Sequence, residues 1–152
     1  MSNHPSDSSV QAKAESKMLS KLQMQIDCSL SKKKIRVDKN LFLEVDGYSE
    51  DKRVLCEAYA HIGDVKGAQY QKVLTDTMKM LFAEKLLGGK WRKIYLFADK
   101  KAAKTFESGT WYAKAMSKFG IEVKVVALDD ETRGLVLEAQ KKQAQGISVS
   151  SK

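Results

Sequence analysis

Asp46 and Glu57 are the residues of this 152-residue chain best placed to do chemistry. Asp46 closes one strand-patterned run and Glu57 stands in the middle of the next. Strands that pair across a short connection bring two such carboxylates within a few ångströms. Facing carboxylates repel, so either one takes up a proton or a cation sits between them. Oxygen ligands with open water positions suit magnesium or manganese. A metal of that kind activates a water and stabilises charge on a phosphate, and phosphodiester hydrolysis uses both effects. The helix-patterned segment that follows carries Gln69, Lys72, Asp76 and Lys79 at spacings of 3, 4 and 3, which makes one polar stripe. If that helix crosses the sheet with its Gln69 end near the strand ends, Gln69 and Lys72 reach the carboxylates or a scissile phosphate. Lys66, just before it, would do the same, beside a helix N-terminus that itself favours phosphate. Glu15 lies one turn before Leu19 and points a carboxylate towards the core side, where it needs a partner or a purpose.

Each of these residues also has a plainer reading. Asp46-Gly47 is a common turn pair. Glu57 could face water on an open sheet side, and Glu15 could do so in an early helical turn. Lys72 and Asp76 are four apart, as in an exposed helical ion pair. His61 at a strand end reads as a surface or hydrogen-bonded residue. Trp91 and Trp111 more often pack on a core than stack on bases.

The elements that must position these side chains follow from periodicity. Leu19, Leu22 and Ile26 share one face of a helix spanning Val10 to about Ile26. After the basic stretch Lys32 to Lys34, Leu41, Leu43 and Val45 alternate with Phe42, Glu44 and Asp46, and Gly47 ends or bends the strand. Arg53 to Ile62 alternates again and completes a hairpin. A long helix from Gly67 to Leu87 is expected to bury Val73, Thr77, Leu81, Leu74, Met78 and Phe82 and to stop at Gly88-Gly89. Lys93 to Ala98 reads as a buried strand. Asp99 to Phe106 and Thr110 to Phe119 form a helix broken at Ser108-Gly109. Glu122 to Leu128 is a strand, and Asp130 to Ala144 a helix capped by Asp129 or Asp130. The order is helix, strand, strand, helix, strand, helix, strand, helix, without internal repeats. Strand-helix-strand units of this length imply right-handed crossovers, so an antiparallel hairpin joins parallel strands in a mixed α/β sheet.

Composition fits one soluble domain, with 43% apolar and 30% charged residues. Residues 10–145 are expected to form it, and the polar ends, 1–9 and 146–152, are read as flexible tails. Lysines and arginines number 27 against 19 acids, a formal charge of +8 that favours an anionic partner such as nucleic acid. No apolar run approaches the roughly 20 residues of a membrane helix, and the opening residues lack the pattern of a secretory signal, so a cytoplasmic location is expected. Cys28 and Cys56 stand alone and are expected to be reduced and structural. Neither a His/Cys zinc cluster, nor a Ser/His/Asp order, nor a glycine-rich phosphate loop is present in the sequence.

Together, the helix with Glu15, the hairpin with Asp46 and Glu57, the helix with Gln69 and Lys72, and the strand, helix, strand that follow resemble the PD-(D/E)xK, or restriction-endonuclease-like, nuclease superfamily over about Val10 to Leu128. A set of uncharacterised bacterial proteins is similar to the segment from Glu57 to Val73. The resemblance implies an αββαβαβ core, and magnesium or manganese held by Asp46, Glu57 and Glu15. It also implies a lysine two residues beyond Glu57 that orients the attacking water. Tyr59 stands there instead, on the same strand face roughly 7 Å from Glu57. Either a lysine from elsewhere, Lys72 before Lys66, takes the role, or the site is impaired. Lys66, Lys79 and Tyr59 are the expected nucleic-acid contacts. DNA is the expected substrate before RNA, and a homodimer is one way a small nuclease cuts two strands. The alternative is a degenerate member that binds nucleic acid or protein without cutting. A Rossmann-like regulatory domain around residues 93–98 and 122–128 is disfavoured by the early hairpin.

Overall fold

The computed structural model describes residues 7–150, with the side chains of 8–145. Helix α1 (Asp7–Ile26) is followed by β1 (Ser31–Asp38), β2 (Leu41–Ser49), β3 (Val54–Tyr59) and α2 (Ala68–Leu87). Then come β4 (Arg92–Phe97), α3 (Lys100–Glu107), α4 (Trp111–Lys118), β5 (Ile121–Val125) and α5 (Asp130–Ser150). The five strands lie in chain order in one mixed sheet: β1, β2 and β3 antiparallel, then β3, β4 and β5 parallel.

Strand alternation divides the core into two layers. Val54, Cys56, Ala58, Ile94 and Leu96 face α1 and α5, where Ala14, Met18, Leu22 and Val136 meet them. Leu55, Tyr95 and Phe97 face α2, α3 and α4, against Val73, Met80, Ala102, Phe106 and Met116. Both cysteines are buried and free.

The expected order of helices and strands is present, with one addition and several shifted bounds. In the sequence β1 shows only as a basic stretch. Of its residues Ile35 alone is buried and Val37 half-buried, because it is an edge strand whose other side chains face water. Gly47 does not end β2. The register moves from Lys33↔Val45 to Ser31↔Tyr48, so Asp46 and Gly47 together stand opposite Lys32 as a β-bulge. Position 47 is tight: an added Cβ would lie 3.1 Å from the Cys56 Cβ and 3.3 Å from Leu19 Cδ2, so its neighbours would have to give by a few tenths of an ångström.

β3 leaves the ladder after Tyr59. Beyond it the Gln140 side chain takes over strand pairing, accepting from the Ile62 amide at 2.9 Å and donating to its carbonyl at 3.0 Å. The helices at the two ends are longer than expected. α1 begins within the segment read as an N-terminal tail, and α5 runs to Ser150 through most of the segment read as the C-terminal one. Residues 1–6 and 151–152 of those tails lie outside the described residues. Asp129 is the α5 cap, accepting from the Thr132 amide at 2.8 Å.

Helix α2 is rotated from its expected setting. Met78 is 72% exposed and Phe82 also faces solvent, while Asp76, Met80 and Ala83 line the core beside Val73 and Thr77. The charge on Asp76 tolerates this because Tyr95 and Lys72 both bond to it.

Candidate functional site

Where β2 and β3 part, Asp46 and Glu57 take over the ladder. The last paired residues are Gly47 and Cys56. One step further, Glu57 Oε2 accepts from the Asp46 amide at 2.7 Å, and Asp46 Oδ2 accepts from the Ala58 amide at 3.0 Å. Each carboxylate thus satisfies a backbone donor of the other strand that would otherwise be orphaned by the separation. The bulge turns Asp46 towards α1, where it borders a groove of about 280 Å³ with Glu15, Ser16 and Lys32.

Alternation places Glu57 on the opposite layer, under α2, at 1% exposure. The Lys79 ammonium lies against its Oε1, 3.9 Å from Asp76 Oδ1 as well. Burial, and next the charge of Asp46, push the Glu57 carboxyl up to about 8, against the pull of Lys79.

Asp76 is the centre of the α2 side. At 5% exposure, its Oδ2 accepts from the Tyr95 hydroxyl at 2.7 Å and from the Lys72 ammonium at 2.9 Å. The Tyr95 phenol is driven well up by burial and by the Asp76 charge. For Lys72, burial acts to lower its pKa but is outweighed by Asp76, Glu15 and Glu57, so the ammonium is held more firmly than usual. It is therefore a fixed positive charge and a poor proton acceptor. Its Nζ sits 5.7 Å from the centre of the Tyr59 ring, and Tyr59 in turn stacks on His61.

A cleft of about 840 Å³ opens above these groups, lined by Gln11, Glu15, Tyr59, His61, Gln69 and Lys72. Glu15 borders both this cleft and the smaller groove. Its carboxyl is raised to about 7 by burial first, with Asp46 and Asp76 adding to the shift and a 2.9 Å hydrogen bond from Gln11 opposing it.

The structure therefore brings Glu15, Asp46, Glu57, Tyr59, Lys72 and Lys79 into one neighbourhood. Gln69 lines the cleft, but its Oε1 accepts from the Lys66 amide at 2.8 Å and so also closes the first turn of α2. The Lys66 side chain stays exposed. Lys79, expected as a nucleic-acid contact, is instead directed at Glu57. Asp76 was visible only as the partner of Lys72, and its place in the centre was missed. The signal was its position beside Val73, Thr77 and Met80 at helical spacing. Trp91 packs in the core as expected, stacked on Tyr48, whereas Trp111, at the start of α4, is exposed.

The donors are oxygens apart from the two lysines, and among the described residues no group of three or more His, Cys, Asp or Glu closes around a single point. Two carboxylates suffice for magnesium, which keeps several of its waters. Asp46 Oδ1 accepts no hydrogen bond among the described residues. Asp46 is thus the carboxylate of the pair open to such an ion, whereas both oxygens of Glu57 are engaged, Oε2 by the Asp46 amide and Oε1 by the Lys79 ammonium, which would have to leave for the two to share one. No described helix is long and apolar enough to cross a membrane. No protein-family model, curated protein or solved structure matches the chain.

Proposed function

We propose that this chain is a magnesium- or manganese-dependent nuclease-like domain of restriction-endonuclease-like fold that hydrolyses phosphodiester bonds, in DNA before RNA. The observation that carries the reading is the crossing of Asp46 and Glu57 where β2 and β3 part, within reach of charges from α1 and α2. The fold part of the reading is supported by the succession of helix, hairpin, helix and two parallel strands in one mixed sheet, to which β1 is added at the hairpin edge.

Asp46 and Glu57 hold the metal, whose chemistry when bound is to polarise a phosphoryl oxygen and lower the pKa of a water. Glu15, with its raised affinity for protons, receives one through water. Lys72 supplies fixed positive charge to the phosphate in place of the lysine that Tyr59 replaces, and Gln69 helps orient the strand in the cleft. The test is cleavage of a mixed DNA and RNA panel with magnesium or manganese. Asp46→Ala and Glu57→Ala are expected to lose at least about 100-fold in rate with circular dichroism unchanged. A wild-type protein without turnover under either metal contradicts the reading.

One observation favours a second reading. Lys79 already neutralises Glu57, which lines neither opening, as in a degenerate member that binds without cutting. Salt-sensitive binding of nucleic acid with no metal-dependent turnover is its signature.

A further inference from the structure

The β2–β3 register spans only Gly47 to Ser49, so the β1–β2 hairpin runs on past the site as a two-stranded ribbon. One face of that ribbon is packed: Ile35, Leu43 and Val45 join the core layer under α2. The other face shares its side with Asp46 and carries Lys32, Lys34 and Arg36 from β1, opposite Glu44 and Phe42 from β2. All five are exposed. Glu44 is the acid among them, paired with Lys32 at 4.0 Å, which leaves the face positive.

We infer that this ribbon face is a docking surface for single-stranded nucleic acid, guiding a strand along Lys34, Arg36 and Phe42 towards Asp46. The inference deepens the nuclease reading and rests on it for its direction. Three features argue for a single strand. Same-face residues of a β-strand repeat every roughly 6.6 Å, so Lys32, Lys34 and Arg36 form an evenly spaced cationic row that can follow an extended phosphate backbone. Phe42 keeps 47% of its surface exposed at the end of that row, and the Arg36 guanidinium lies 5.3 Å from its ring centre. An aromatic with an arginine beside it, in a row of cations, suits a base that is free to stack, which a paired base is not. The chain's excess of eight positive charges complements the phosphates.

The test is fluorescence anisotropy with a labelled 20-nucleotide single-stranded DNA and its duplex, in EDTA, over a series of salt concentrations. Wild-type protein is expected to prefer the single strand. Phe42→Ala should weaken that binding about tenfold. Lys34→Ala with Arg36→Ala should lower the slope of log affinity against log salt by about 1.4, since each lost contact removes about 0.7. Lys118→Ala, on α4 across the sheet, should leave both unchanged. Preference for the duplex, no single-strand binding by the wild type, or unaltered binding by the ribbon variants overturns the inference. Cleavage by the same proteins under magnesium or manganese separates the two ideas. Loss of binding in the ribbon variants without wild-type turnover sinks the nuclease reading alone, and turnover with unaltered binding in the variants sinks the ribbon alone.

Discussion

Lys79 of α2 sets its ammonium against Oε1 of Glu57, so a cation carried by the protein itself covers the most deeply buried carboxylate of the site. Removing one partner of a buried ion pair leaves the other uncompensated. Lys79→Met is therefore expected to cost about 1 kcal/mol more at pH 8.5, where Glu57 is mostly ionised, than at pH 5, where it holds its proton. Urea denaturation at the two pH values measures both. An equal loss at each would mean that Lys79 contributes packing alone.

Stability itself should depend on pH in a definite direction. Glu15 and Glu57 have folded-state values of about 7 and about 8, both above the usual 4.5, so the folded protein keeps protons that the unfolded chain has released. Their contribution is complete below about pH 4.5 and is lost as pH rises through 8. Asp129 and Glu122 are held down, by hydrogen bonds from Thr132 and from Arg92 respectively, and titrate below this window. Between pH 5 and 8.5 the Tm is expected to fall by about 5 °C, with Glu57→Gln removing most of the slope. A flat or rising Tm in calorimetry over that range contradicts the assignment.

Asp76 joins α2 to the sheet through Tyr95 and Lys72. Asp76→Ala leaves a buried hydroxyl without its acceptor and is expected to destabilise by about 2–3 kcal/mol, whereas Tyr95→Phe costs about 1 kcal/mol. Chemical denaturation gives both values. Near-neutral behaviour of Asp76→Ala would show that water replaces the carboxylate.

At Gly47 the space is already taken by Cys56 and Leu19. Gly47→Ala is expected to cost about 1–3 kcal/mol by overpacking. It should also shift Asp46 and reduce any metal-dependent cleavage, which activity relative to folded fraction would reveal. Full activity per folded molecule would show that the bulge does not set the aim of Asp46.

Local periodicity made much of this legible. The alternation around Glu57, the glycine stops of α2, the break at Ser108-Gly109 and the cap at Asp129 depend on near neighbours, and the structure reproduces them. β1 escaped notice because Lys32, Lys33 and Lys34 belong to an edge whose partner, β2, supplies the hydrogen bonds that its composition does not suggest. The setting of α2 was misread because Met78 and Phe82 looked like core, while the groups that let Asp76 go inside come from β4 and from the helix itself. The proximity of Asp46 and Glu57 was readable, but not their crossed bonds to each other's backbone. Those depend on a bulge that is set by close packing across three elements. The direction of Lys79 was hidden for the same reason: its partner is on another layer of the fold.

Anomalous diffraction from crystals soaked in manganese tests the metal site most directly. A peak is expected at roughly 2.0–2.6 Å from oxygens of both Asp46 and Glu57, with the Lys79 ammonium moved off Glu57. No peak there at millimolar manganese, with Lys79 still seated on Glu57, would contradict it.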